Sequence, residues 1–360
     1  MPARRFASAS QMAQALRLAM YHPSLRQLED RVIPWERTSE NDKEEHRPQI
    51  SSFQLPITVS QLPISGSANV LVANEAYLYG AAGSKVIVLP QPEQCLVSTQ
   101  EKTSVSFQEP VLGILPVLGG GCVLTQKRVY WLSENSSEPE CILELGLKDL
   151  SRLYKAAIDS RRRCLAIAIP GELRFYSLSM SGGKTTLILR RTISLTDQSL
   201  PELMFLDRRH LLAIWSDNEQ KQPQTTLKVY TRRGTTVGSV PLSASVGQVL
   251  PTADPYTILG IPLGAKAAIL LIKLLPLKVT RIPLESLPTC VCVASWGYVV
   301  ADALGEIMVC DRDGSLVGNF SGPVTPKAIA PWGKTGLAIA VDTGARARID
   351  FLDVKLDTEL

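Results

Sequence analysis

The stretch CLAIAIPGELRFYSL, residues 164–178, holds two apolar runs joined by Pro170-Gly171. Adjacent Pro and Gly favour a tight turn, and the runs on either side are of strand length, so the stretch predicts a β-hairpin. Its second run, LRFYSL from Leu173, returns in outline six more times: KVIVLP from Lys85, RVYWLS from Arg128, LKVYTR from Leu227, AAILLI from Ala267, EIMVCD from Glu306 and RIDFLD from Arg348. Successive starts lie 43, 45, 54, 40, 39 and 42 residues apart. An interval of about 40–45 residues, each holding about four short β-rich runs, is the period of a propeller blade. The sequence therefore predicts an all-β fold, a seven-bladed β-propeller of four-stranded blades.

The same hairpin closes on Gly305 in GYVVADALGEIMVCD (297–311) and on Gly344 in GLAIAVDTGARARIDFLD (336–353). These pairs are strands b and c of each blade, with b expected to be buried and c half exposed. Strand a lies upstream, as in LYKAAI (153–158), ELMFLD (202–207), CVCVAS (290–295) and KAIAPW (327–332). Strand d follows c, as in TLILRRTI (186–193), TTVGSVPL (235–242) and SLVGNF (315–320). The last unit lacks a strand d. FQLPITV (53–59) has no other partner and is expected to supply it, which would close the ring and remove an exposed sheet edge. The propeller is accordingly assigned to residues 51–360.

With its seven hairpin units at this period, the chain resembles the WD40-like seven-bladed propellers over residues 52–360. The resemblance is architectural, since the Gly-His and Trp-Asp dipeptides of those repeats are absent. What it implies is the ring of blades.

Residues 1–50 read differently, as a helical arm and a charged linker. Met12, Ala15, Leu16, Ala19 and Met20 follow helical spacing from Ser8, which with Gln11 forms a capping box. Pro23 ends that helix, and a second one from Ser24 to Pro34 places Leu25, Leu28 and Val32 on one face. Met12, Leu16, Met20, Leu25 and Leu28 form the expected docking surface. Arg4, Arg5, Arg17 and Arg26 precede the first acid, Glu29. Three readings fit this basic amphipathic composition: packing on the propeller, docking on another protein or peripherally on a membrane, or, for residues 1–28, targeting to an organelle.

Hydrophobic residues make up 45% of the 360 and charged residues 20%, with 24 Gly and 24 Pro, a balance that excludes wholesale disorder. The longest apolar run, near Ala267–Leu277, is broken by Lys273 and Pro276, so no transmembrane span of about 18–20 residues is expected. Seven cysteines form an odd set scattered on apolar strands, which fits a reducing, cytoplasmic setting rather than a disulfide framework. Cys290 and Cys292 face one side of a strand, but no clustered histidine or second pair joins them, and a structural role is expected.

No catalytic motif is complete. SGGKTT (181–186) has Leu178 where a phosphate loop needs its first Gly, and it reads as a c-to-d hairpin tip. Gly119-Gly120-Gly121 is due at an a-to-b turn, and DRDG (311–314) at a c-to-d turn. The histidines, His22, His46 and His210, suggest neither a triad nor a metal site, so no catalytic, metal or cofactor residues are assigned.

Charge is more informative. Between Arg161 and Arg233 stand ten Arg and three Lys against six acids, although the whole chain is only +4. Arg161, Arg162, Arg163, Arg208 and Arg209 fall in a-to-b turns, and Lys184, Arg232 and Arg233 in c-to-d turns. Both turn types open on one face of a propeller, so blades three and four are expected to present a basic patch there. The composite reading is a non-enzymatic protein-interaction platform, such as a scaffold or adaptor, whose partners include a protein with an acidic surface. The alternatives are a propeller hydrolase or lyase with a central-channel site and a nucleic-acid-binding propeller using the same arginines.

Overall fold

A computed structural model describes residues 57–354, apart from 93–102, 134–137, 147–153, 196–198, 218–223 and 264–266, the pairs 182–183 and 324–325, and positions 118, 160, 162, 243 and 345. The helical arm, its docking residues and the charged linker lie outside the described residues, as does Arg162.

Seven four-stranded antiparallel sheets make up the ring. Six are simple meanders in chain order, which is what consecutive short strands joined by tight turns give. Blade three shows the pattern, with strands Lys155–Ile158, Cys164–Ile169, Glu172–Ser181 and Lys184–Ser194 as a to d. The hairpin of the opening stretch is there, with Ile169 opposite Glu172 and Gly171 at φ +80°.

Blade seven takes its outer strand from the N-terminal side. Its a, b and c strands are Pro326–Trp332, Gly336–Asp342 and Ala347–Val354, and Ile57–Ile64 pairs with the last of these from Ile57 opposite Val354 to Ile64 opposite Ala347. The strand thus runs beyond the expected 53–59 to Ile64, and residues 53–56 lie outside the described residues. Leu62 and Ile64 fix its register, because both pack on the core between blades seven and one.

The core is divided into seven clusters, one for each seam between neighbouring blades. This explains why strands b read as unbroken apolar runs rather than as alternating ones. In blade three, Leu165, Ile167 and Ile169 face blade two, whereas Cys164, Ala166 and Ala168 face blade four. In blade seven, Leu337, Ile339 and Val341 face blade six, and Ala338 and Ala340 face blade one. Large side chains on one side and small ones on the other let successive sheets interdigitate. Each fully buried Leu or Ile contributes about 1.5–3 kcal/mol of transfer free energy.

Two expectations are corrected. Strand c is more buried than half in blades five and seven, where Ala268–Leu274 and Ala347–Val354 are mostly enclosed, because strand c also lies within the seams. The water-facing strand is d, as in Lys184–Ser194. Among the three glycines, only Gly119 belongs to the a-to-b turn; Gly120 and Gly121 begin strand b of blade two, Gly120–Thr125. Gly120 has φ +149°, and a Cβ there would collide with the Leu132 carbonyl. Close approach of the next strand requires glycine at this position.

Candidate interaction site

In an antiparallel meander, a-to-b and c-to-d turns share one face. On that face the turns of blades three and four are held by the same device. In blade three, Asp159 precedes strand b, is 1% exposed, and its Oδ1 accepts from the N–H of Arg163 (2.6 Å) and of Cys164 (3.0 Å). In blade four, Asp207 lies between strand a, Glu202–Phe205, and strand b, His210–Asp217, and its Oδ1 accepts from the N–H of Arg209 (2.6 Å) and of His210 (2.7 Å). An aspartate satisfying its own turn's N–H groups fixes the loop without using the arginine side chains. Arg161, Arg163, Arg208 and Arg209 are all exposed.

The c-to-d turn of blade four joins this cluster. Strand c, Gln224–Thr231, passes to strand d, Thr236–Leu242, through a turn in which the Gly234 N–H donates to the Thr231 carbonyl at 2.7 Å. Arg232 N–H donates to the Arg209 carbonyl at 2.6 Å, which binds the two turns of the blade together. Cys164 Sγ of blade three lies 4.0 Å from the Arg232 carbonyl, linking the blades. Burial, then the Asp159 charge, pushes the Cys164 thiol up to about 12, against an opposing effect of Arg232, so it stays neutral. Gly234, at φ +78°, leaves room for Arg191 of strand d of blade three, whose Cδ would lie 3.0 Å from a Cβ at that position. Arg191 Nη1 donates to the Arg233 carbonyl at 3.3 Å.

The structure therefore brings the turns carrying Arg163, Arg209, Arg232 and Arg233 together on one face and adds Arg191, which sequence reasoning missed. The signal was the Arg190-Arg191 pair directly after the apolar run Leu187–Leu189. Lys184 is exposed but stands apart, at the base of a hairpin tip whose next residue, Thr185, donates its N–H to Glu140 Oε2 of blade two at 3.0 Å.

Beside the arginines, blade four is clamped to blade five. Tyr256 lies in the a-to-b turn of blade five at φ +61°, and its hydroxyl donates to Asp207 Oδ2. His210 Nδ1 is 3.1 Å from the same oxygen and 3.0 Å from the Tyr256 hydroxyl. Desolvation opposes ionisation of Asp207, but hydrogen bonds from His210, Tyr256 and the Arg209 N–H outweigh it and hold the carboxyl well below its usual range. Burial first, then Asp207, pushes the Tyr256 phenol up. This Asp-His-Tyr set was not foreseen, because its members come from two blades. With Asp207 committed to its own turn and His210 buried at 6%, the set acts as an inter-blade clamp.

The central channel, about 700 Å³, is walled by the a strands of all seven blades. Asn69, Gln248, Thr289 and Lys327 are among its polar groups, and among the described residues lining it there is no Asp, Glu or His. Cys290 and Cys292 share the core between blades six and seven, as their spacing implied. No group of three or more metal-ligating side chains occurs among the described residues. No helix among them is long and apolar enough to cross a membrane.

These features define a WD40-like seven-bladed propeller with one arginine-rich turn face. No family model matches the sequence, and no curated protein does. Among solved structures, the chain is similar to Raptor of Chaetomium thermophilum, with 11% identity, a TM-score of 0.64, and coverage of 87% of this chain and 30% of that one. It is also similar to the WD40 domain of Neurospora crassa Pan2, with 13% identity, a TM-score of 0.57, and coverage of 81% of this chain and 90% of that domain. The chain thus spans less than a third of the Raptor chain. As many as 943 solved chains match, so the likeness defines a widespread fold and not an activity.

Proposed function

We propose that this chain is a non-enzymatic protein-interaction platform whose principal contact surface is the arginine-rich turn face of blades three and four. The observation that carries this reading is the backbone linkage of the turns: Asp159, Asp207 and the Arg232–Arg209 hydrogen bond hold the loops, leaving the exposed guanidinium groups of Arg163, Arg209, Arg232 and Arg233 to meet a partner. Arginine on a rigid loop suits carboxylate recognition because its planar fork pairs bidentately at small entropic cost. The favoured partner is a protein segment with an acidic surface. The N-terminal arm, residues 1–50, serves docking or assembly through Met12, Leu16, Met20, Leu25 and Leu28, while residues 51–360 form the platform.

A channel enzyme is disfavoured by the lining chemistry, which offers no carboxylate or imidazole for proton transfer among the described residues. The partner class is tested by titrating the full chain with a Glu-rich synthetic peptide and with duplex DNA of equal charge across a range of salt. Tighter binding of the peptide supports the reading. Tighter binding of DNA, with a steep salt slope, reassigns the face to nucleic acid.

A further inference from the structure

The opposite face, formed by b-to-c turns and d-to-a links, carries an apolar opening of a different kind. The core between blades five and six, which includes Leu271, Ile282 and Val300, continues outward into a groove of about 250 Å³. Its walls include Leu284 from the blade-five side and Val300, Met308 and Leu316 from blade six. Leu304 stands at the tip of the b-to-c turn, 81% exposed, the highest value for a large hydrophobic side chain among the described residues. Leu316, which also lines the groove, is 37% exposed. A single exposed leucine needs no explanation, but leucines gathered at the mouth of a groove mark a contact surface.

The groove's charged lining has one sign: Glu285, Asp302 and Glu306. Two of the three are held in place. Asp302 Oδ1 accepts from the N–H of Leu304 and of Glu306, both at 2.8 Å, and its Oδ2 accepts from the Ser286 hydroxyl at 2.6 Å. Glu306 Oε1 accepts from Asn319 Nδ2 at 2.8 Å. An apolar wall ending in ordered carboxylates complements a side chain with an aliphatic stem and a cationic head. The volume takes one such side chain and excludes a whole helix.

We propose that this groove receives one Lys or Arg side chain from an amphipathic segment of a partner protein, with the segment's aliphatic residues lying on Leu304 and Leu316. The inference is independent of the arginine face, which uses other blades and the other side of the ring.

The test titrates the full chain with a fluorescent amphipathic peptide of Leu and Lys and with its Leu/Glu counterpart, following anisotropy. The Leu/Lys peptide should bind and the Leu/Glu peptide should not. Leu304→Ser, which alters only an exposed turn, and the pair Glu285→Gln with Glu306→Gln should each weaken binding tenfold or more. Arg163→Glu, Arg209→Glu and Arg232→Glu together should leave it unchanged, so failure of the arginine-face reading is separable. Binding that ignores the groove substitutions, or no binding of the Leu/Lys peptide, overturns the proposal. A several-fold gain in affinity on Arg17→Glu and Arg26→Glu would name this chain's own arm as the occupant and overturn the assignment to a partner.

Discussion

Ile57 lies opposite Val354, and from that pair the N-terminal strand runs antiparallel to the last strand of the seventh blade down to Ile64 opposite Ala347. The two ends of the described chain are thereby joined in one sheet, and the ring has no blade short of a strand. Deleting residues 1–64 removes this strand, whereas deleting 1–56 leaves it. The longer truncation should lose about 3 kcal/mol or more, from Ile64, Leu62 and the ladder they anchor. The shorter one should unfold near the wild-type temperature. Matching thermal unfolding curves for the two truncations would contradict the closure.

Gly234 separates two blades by the absence of a side chain. Gly234→Val would place atoms where Arg191 and Ile193 already lie, on a backbone with φ +78°. A loss of about 1–3 kcal/mol is expected, from strain at positive φ and local overpacking. Denaturant unfolding measures it, and Arg191→Ala in the same background should relieve part of the loss.

Asp207 should make stability depend on pH on the acid side. Its carboxyl is held below the unfolded value of about 3.9, so its contribution is complete above about pH 5 and is lost as pH falls through the folded value. Tyr256→Phe removes one of the donors responsible and should flatten the acid limb. An unchanged limb in chemical denaturation between pH 5 and 2 would contradict the clamp.

The cysteines should react in the order of their exposure. Cys141 is the exposed one among the six described cysteines, while burial pushes the Cys122 thiol up to about 12 and raises Cys292 further. Iodoacetamide at pH 8 should therefore label Cys141 in the folded protein and reach Cys122 and Cys292 only on unfolding, as mass spectrometry of timed digests would record.

The ring was legible because a propeller repeats its local pattern. The turn at Pro170-Gly171 and the run CLAIAI mark a hairpin by themselves, and the period then orders the rest. The alternation of Leu165, Ile167 and Ile169 with Cys164, Ala166 and Ala168 even carries the asymmetry of the two seams, although its meaning emerges only when both neighbouring blades are in place. The arginine turns were legible as positions but not as a linked cluster. Arg191 reaches Arg233 across a blade boundary, and the Arg209–Arg232 bond joins segments 23 residues apart, so neither leaves a local trace. The contact of the Lys184 hairpin with blade two, where the Thr185 N–H donates to Glu140, is likewise absent from the local sequence. Leu304 carries no mark in the sequence beyond its place beside Gly305 in a turn, and only the assembled blades set it against the groove.

On the proposed function, the arginine face of blades three and four is a contact surface. The direct measurement is the dissociation constant of a Glu-rich peptide for the wild-type chain and for a variant with Arg163→Glu, Arg209→Glu and Arg232→Glu, each checked for unaltered unfolding. Exposed turn substitutions should change stability by no more than about 0.5 kcal/mol each. Binding should fall at least tenfold, as expected if each lost charge pair is worth about 0.5 kcal/mol or more at low salt, and the residual binding should lose most of its salt dependence. A folded triple variant that binds the peptide as tightly as the wild type would contradict the account.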